Sequence, residues 1–241
     1  MIVYGINPVL EALKAGRVSR IKVGPRDDQR MHQVLALASG RRVPVERVAP
    51  DVLDRESRRG VHQGVVAELK PSDDLSVADL VRNATGPALL VVLDGIEDPH
   101  NVGAIIRTVD AAGAHGVIRQ TRRAAALDAV AAKASAGAVA HVPIADVVNI
   151  ARAIEELKAL NVWTVGLAGD APQTYDAIDF TVPTAIVLGA EGTGLRRLVR
   201  ESCDFLASIP MAGQVESVNV SVAAGVVLFE ALRQRSGMRS K

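Results

Sequence analysis

Residues Ile209 to Leu232 read IPMAGQVESVNVSVAAGVVLFEAL, and the two halves of this stretch obey different rules. From Val222 onward, apolar residues fall at Val222, Val226, Phe229 and Leu232, the spacing of a helix face that needs a core to lie on. The preceding SVNVS alternates polar and apolar, sets Ser217, Asn219 and Ser221 between or beside valines, and follows the turn residues Pro210, Gly213 and Gln214. These polar groups enter the helix where its first N–H groups have no intrahelical partner, so Ser217 or Asn219 as a cap is the simpler reading of this stretch alone. Two other stretches change that weighting.

Upstream, Ala88 to Leu93 is a continuous apolar run of the kind that forms a central strand of a parallel sheet. Further strands are expected at Gly116 to Ile118, Val162 to Leu167, Ala185 to Leu188 and Phe205 to Ile209. Helices are expected at Val102 to Ala112, Leu127 to Ala134, Ile150 to Leu160 and Leu195 to Arg200. Strand and helix alternate, which predicts an α/β domain with a mostly parallel sheet covered on both faces. Ligands of such sheets bind outside the carboxyl ends of the strands, and two more strands here end in unusual sequence. One is followed by Asp94-Gly95-Ile96-Glu97-Asp98-Pro99-His100-Asn101, where Asn101 can cap the next helix. Arg107 then lies nearly two turns in, where it could snorkel or pair with Asp110. The other is followed by Gly189-Ala190-Glu191-Gly192-Thr193-Gly194, whose glycines permit close approach of a ligand to backbone. The spacing is not G-x-G-x-x-G, and Glu191 would repel a pyrophosphate, so a neutral or positively charged ligand fits better.

The first 70 residues alternate helix and strand on a smaller scale. Asn7-Pro8 opens a helix closed by Gly16, and a second helix around Met31 to Ser39 ends at Gly40. Strands are expected at Ile21 to Val23, Val43 to Val48 and Val65 to Leu69, with a short helix from Pro50. Arg55 to Gly64, RESRRGVHQG, is a charged loop where phosphates could be held. Residues 71–83 read as a linker from Pro71-Ser72-Asp73-Asp74, with Ser76 and Asp79 suggesting a capping box. The expected division is a small α/β domain over 1–70, a linker over 71–83 and a larger domain over 84–241.

Charge separates the same parts. Residues 1–70 hold 13 Lys/Arg against 8 Asp/Glu, a balance of +5, whereas the rest of the 241-residue chain holds 15 against 19, a balance of −4. A small basic domain suits a polyanion. Aromatic residues are only 2% of the chain, too few for base stacking on a sheet of exposed rings. One cysteine, Cys203, excludes an internal disulfide framework, and five histidines without i, i+4 spacing indicate no metal. No run approaches the roughly 18–20 apolar residues of a membrane span. The expectation is a soluble, cytoplasmic protein without membrane partners.

The three stretches, N-V-G-A-I-I-R from Asn101, L-G-A-E-G-T-G-L from Leu188 and I-P-M-x-G-x-V-x-S-V-N-V-S-V-A-A-G-V from Ile209, resemble together, in order and spacing, the SpoU (TrmH) family of RNA ribose 2′-O-methyltransferases. YGINPVLEALKAG near the start and VHQGVVAELKP before the linker extend the resemblance over nearly the whole chain. They are most similar to members that methylate a guanosine ribose in bacterial 23S rRNA, with a tRNA or antibiotic-resistance rRNA target of the same family as the alternative. The resemblance implies a C-terminal SPOUT-type α/β domain with a trefoil knot, a rare exception to unknotted topology. It further implies S-adenosyl-L-methionine as cofactor, a homodimer through the knotted domain, and a small N-terminal α/β RNA-binding domain. Carried over residue by residue, it marks Arg107, Asn101, Glu191, Ser217 and Asn219 as catalytic positions. Gly189, Ile209 and Val218 are the cofactor-binding ones. Val218 stands where leucine is more usual, and Arg119 to Ala126, RQTRRAAA, departs from the commoner proline-containing loop.

The implied reaction is in-line transfer of a sulfonium methyl to a ribose 2′-oxygen. Arg107 would stand nearest that hydroxyl, and since guanidinium groups stay protonated in proteins it reads as an orienting donor rather than a base. Two other classes fit the sequence less well. A nicotinamide-dependent oxidoreductase calls for a first-strand fingerprint and a later acidic residue that are absent. A non-catalytic RNA-binding protein leaves the three stretches unexplained.

Overall fold

Two sheets organise the chain in this computed structural model, which describes residues 1–70, 74–121, 127 and 129–238. The described residues fall into two compact units, one within 1–73 and 126–141, the other within 74–125 and 142–241. Pro71 to Asp73 of the expected linker, and Arg122 to Ala126 of the loop set apart above, lie outside the described residues.

The first unit runs β1 (Ile2–Tyr4), α1 (Ile6–Lys14), β2 (Val18–Val23), α2 (Gln29–Gly40), β3 (Val45–Arg47), α3 (Pro50–Glu56) and β4 (Val65–Leu69). Its sheet order is β1-β4-β2-β3, antiparallel except for the β2–β3 pair. Asn7 was expected to cap α1, but Gly5 occupies that position at φ +89, and the Ile6 N–H is taken by Gln63 Oε1 at 3.0 Å. Asn7 Oδ1 instead accepts from Arg30 at 2.7 Å.

The second unit begins earlier than the sequence division placed it. α4 (Val77–Arg82) opens with a reciprocal capping box between Ser76 and Asp79, and its Val77 and Leu80 are buried in this unit's core. Residues 76–82 are therefore structural core and not linker, because two apolar positions three apart lie on one helix face. Next come β5 (Leu89–Asp94), α5 (Pro99–Ala111) and β6 (Gly116–Gln120).

α6 (Ala129–Ala134) and a short 3₁₀ turn at Ala138–Ala140 belong with the first unit, although the sequence division gave them to the larger domain. The physical reason is a stretch of small residues. Ala131, Ala132, Ala138, Val139 and Ala140 are buried, and a Cβ on Gly137, which sits at φ +96, would come within 2.6 Å of Glu11 Cβ on α1. His141 Nε2 completes the seat at 3.1 Å from Glu11 Oε2.

The chain returns to the second unit with β7 (Ile144–Val147), α7 (Ile150–Ala159), β8 (Trp163–Leu167), β9 (Gln173–Thr174), β10 (Thr184–Gly189), α8 (Arg197–Ser202), β11 (Phe205–Ser208) and α9 (Val220–Met238). Seven strands order as β7-β6-β5-β10-β8-β11-β9 with every neighbouring pair parallel. Leu90, Val92, Ala185 and Val187 share one face of the sheet, where α4, α7 and α8 supply Leu80, Ile154 and Val199. The alternate residues, Leu89, Val91, Ile186 and Leu188, are equally buried on the other face, the side of α5 and α9.

α9 corrects one expectation. Its buried residues are Val220, Ala224, Val227, Leu228 and Ala231, while Val222 and Phe229 are about half exposed. The helix is apolar nearly all round, so periodicity alone could not tell which side meets the sheet. The face that is buried carries Ala224, Val227, Leu228 and Ala231, and α9 packs along α5.

Candidate active site

The strand order reverses around β5 and β10, and the unusual sequence stretches converge at the carboxyl ends of these strands and of β8 and β11. β10 runs into a turn closed on itself by two backbone bonds, Ala190 N–H to Gly194 O at 3.1 Å and Gly194 N–H to Ala190 O at 2.8 Å. Gly192 and Gly194 take positive φ. Gly189 must be glycine for a different reason: a Cβ there would lie 2.2 Å from the Gly194 carbonyl carbon. The turn is thus packed backbone against backbone, and its outer side is left to a ligand.

Beside it opens a cavity of about 550 Å³, bordered by the end of β8 at Leu167 to Asp170, the glycine turn, Ile209 and Met211 after β11, and Glu216 to Val220 leading into α9. Gly189, Glu191, Ile209, Ser217, Val218 and Asn219 of the expected site all line it. Apolar side chains and backbone make most of the wall. Of its charged groups, Arg200 is spent on Asp170 through bonds of 2.8 and 3.0 Å, which hold the Asp170 carboxyl below its usual range. Glu191 and Glu216 remain, so the cavity suits a ligand that is apolar in bulk and locally positive.

Three distant residues meet at its rim. Asn101 Nδ2 donates to Glu191 Oε1 at 2.8 Å, and Asn219 Nδ2 donates to the same oxygen at 2.7 Å and to Asn101 Oδ1 at 3.1 Å. Asn101 is not the cap of α5, since Asp98 accepts the His100 N–H instead and Asn101 is buried inside the helix. Besides joining this network, Asn219 caps the next helix, since its Oδ1 accepts the Ser221 N–H at 2.8 Å at the start of α9. The network ties α5, the glycine turn and α9 together at one carboxylate.

Arg107 is not brought to this cluster within the chain. It is exposed on α5 and lines neither this cavity nor the smaller one beyond Glu191. Elsewhere in this unit Arg119 pairs with Asp146 at 2.8 Å and Arg197 with Glu201 at 2.9 Å, while Arg122 and Arg123 are not among the described residues.

Sequence reasoning missed Asp94. Fully buried at the end of β5, it accepts the Arg196 N–H at 2.8 Å and Arg196 Nε at 2.6 Å, fastening the start of α8 to the first strand of the site. The sequence showed only a carboxylate ending an otherwise apolar strand; its full burial, which calls for a cation, is seen in the structure. Cys203 behaves as the small core residue expected, its thiol pushed up to about 12 by burial. Among the described residues no group of three or more His, Cys, Asp or Glu is placed to hold a metal ion, and no helix is long and apolar enough to cross a membrane.

In the first unit the charged loop is held in one conformation. Arg58, Arg59 and Gln63 all take left-handed φ, between +51 and +60, at a cost that surrounding contacts must offset. Those contacts are the Gln63 bond to α1, a 3.2 Å bond from His62 to Asp54, and Gly60, where a Cβ would fall 2.3 Å from the Tyr4 hydroxyl. The result presents Arg58, Arg59 and Val61 to solvent.

Comparison with known proteins assigns both units. The SpoU rRNA Methylase family matches residues 88–229, and the family described as RNA 2′-O ribose methyltransferase substrate binding matches residues 2–75. The 23S rRNA (guanosine-2′-O-)-methyltransferase RlmB of Pseudomonas aeruginosa is 46% identical over 241 residues, covering 97% of this chain and 96% of its own. The enzyme of the same description from Ralstonia nicotianae is 48% identical over 222 residues, covering 90% and 87%. Among solved structures, the SpoU methyltransferase AviRb from Streptomyces viridochromogenes, in complex with AdoMet, superposes with a TM-score of 0.84 at 30% identity, over 98% of this chain and 91% of its own.

Proposed function

The chain belongs to the SpoU rRNA methylase family, and from that premise we propose that it transfers a methyl group from S-adenosylmethionine to the ribose 2′-hydroxyl of a guanosine in bacterial 23S rRNA, in the cytoplasm. The observation that carries the reading is the Asn101–Glu191–Asn219 network at the rim of a cavity built from a backbone turn.

The cavity fits the cofactor. Its apolar wall and exposed backbone between Leu188 and Leu195 suit an adenosine, and Glu191 and Glu216 complement a sulfonium cation. Gly189, Ile209 and Val218 would hold it, largely through main-chain contacts. When bound, S-adenosylmethionine supplies an electrophilic methyl group. The chain's own residues supply alignment: Glu191, pinned through one oxygen by two amides, keeps α5, the glycine turn and α9 in fixed relation, so donor and acceptor need little reorganisation. Ser217 borders the same space and is placed to contact the nucleotide or cofactor.

Arg107, which the reading makes an orienting donor to ribose or phosphate, stands on an exposed face. A homodimer resolves this. Val222 and Phe229 form an exposed apolar stripe on α9, the helix that packs on the α5 bearing Arg107. A second copy joined through that stripe would bring Arg107 of one chain toward the cavity of the other. The knotted path of the larger unit belongs to the same reading and is supported by the placing of β10 between β5 and β8, with α9 returning to α5.

The test is incubation with methyl-labelled cofactor and separate pools of rRNA and tRNA, followed by mapping of the alkali-resistant linkage left by 2′-O-methylation. The expected product is one 2′-O-methylguanosine in 23S rRNA. Labelling confined to tRNA, or to bases, would overturn the assignment.

A further inference from the structure

On the far side of Glu191 from the cofactor cavity lies a second cavity of about 410 Å³, within the roughly 300–1,000 Å³ range of small-ligand sites. It shares Ala190, Glu191 and Thr193 with the first cavity, and Asn101 borders it. The remaining wall includes Glu97, Asp98 and Arg196. We propose that this cavity seats the base of the acceptor nucleotide and that Glu97 and Arg196 select guanine, an inference that rests on the guanosine reading above.

The bonding state of each group narrows the choice. Asp98 spends Oδ1 on the His100 N–H, and Glu191 spends Oε1 on two amides. Glu97 meets no hydrogen-bond partner among the described residues and is exposed at the cavity edge. Arg196 is fixed in place: its backbone N–H and Nε bind the buried Asp94 carboxylate, and Nη2 reaches both Asp94 and Gln120 Oε1. Its Nη1 has no partner among the described residues. The wall therefore offers one uncommitted carboxylate and one immobilised guanidinium.

Three carboxylates would repel a backbone phosphate, so the occupant is neutral. Guanine places two donors side by side, N1–H and the N2 amino group, next to the acceptor O6. A carboxylate accepts from both donors at once, while the arginine donates to O6. Adenine and cytosine present a ring-nitrogen acceptor beside their amino donor, which would face the Glu97 oxygens. Uracil offers a single N–H between two carbonyls. The chemistry of the wall thus favours one base, and an unpaired base swung out of its stack is how enzymes read a Watson–Crick edge.

The experiment uses the full chain. Once the methylated position is mapped, the same 23S rRNA is assembled by splinted ligation with guanosine or inosine there, inosine lacking only the N2 amino group. Wild-type kcat/KM should fall at least tenfold on inosine. Glu97→Ala should fall to about the inosine rate on guanosine and treat the two bases alike, and Glu97→Gln should lose most of the discrimination. S-adenosylmethionine affinity, measured by calorimetry, should stay within twofold in both variants. A Glu97→Ala enzyme that keeps the full guanosine-to-inosine ratio, or a wild type that shows none, overturns the role given to the cavity while leaving the guanosine reading intact. A mapped product other than 2′-O-methylguanosine overturns both.

Discussion

Glu191 carries two amide donors on one oxygen, so its replacements divide geometry from charge. Glu191→Gln keeps an oxygen for Asn101 and Asn219 and should leave urea stability within about 0.5 kcal/mol, as surface changes commonly do. It should nevertheless weaken S-adenosylmethionine binding, read by calorimetry, because it removes one of the two carboxylates facing the sulfonium. Glu191→Ala strands the buried Asn101 amide and should cost about 1–3 kcal/mol as well. Equal stability of the two variants would remove the network from the account. Gly189→Ala pushes a methyl into the Gly194 backbone of its own turn, and should lower cofactor affinity at least tenfold by opening the turn. Ligand-free stability measured beside it should fall too, which a direct clash with cofactor alone would not produce. Asn101, Glu191 and Asn219 were marked in the sequence by the family resemblance; residue pattern alone offered Asn101 and Asn219 as helix caps and Glu191 as an odd anion in a glycine turn. Asp94 was marked by neither, since a single letter at a strand end does not say that its partner lies about a hundred residues on.

Helices and strands were legible in proportion to how one-sided they are. β5 and β10 follow from the unbroken apolar runs Ala88 to Leu93 and Ala185 to Leu188. β7 and β9 do not, being short and carrying Asp146 and Gln173 among few apolar residues. α9, apolar on two sides, gave its existence but not its orientation. If its exposed stripe joins two copies, Phe229→Lys should give monomers by sedimentation velocity with little loss of monomer stability. A further outcome follows if Arg107 acts across the join: mixing inactive Arg107→Ala with inactive Asn219→Ala should restore up to about a quarter of wild-type activity, since random exchange leaves one good site in half the dimers. No recovery after demonstrated exchange would return Arg107 to its own chain's site. β6 carries a separate, pH-dependent element at its start. His115 Nδ1 accepts the Leu89 N–H at 3.0 Å, and burial holds its pKa below the ordinary value. The unfolded chain therefore takes up the proton first, so this contribution is full above about pH 6.5 and is lost as the pH falls below it. His115→Asn, which keeps an acceptor but does not titrate, should flatten the decline in unfolding free energy between pH 7.5 and 5.5. A parallel decline in both proteins would assign it to other groups.

At the scale of the molecule, the charge division and the family matches agree on a basic first unit and a larger second one, and the boundary between them follows packing that composition could not reveal. A chain beginning at Arg82 lacks Val77 and Leu80, each worth about 1.5–3 kcal/mol when buried, and should unfold at lower urea than one beginning at Asp74. RNA affinity of the intact protein should fall steeply with salt, and Arg58→Ala with Arg59→Ala should make that slope shallower, as loss of phosphate contacts does. An unchanged slope would take the strained loop out of the RNA contact. The segment that seats α6 on α1 carries a consequence of another kind. Proteins exchange domains by recombination at a single junction, and a junction near residue 73 would import a new first unit without the matching piece at 127 and 129–141. Two coordinated crossovers would be needed, which are far rarer than one. A junction near residue 73 alone would therefore split the first unit rather than carry it whole.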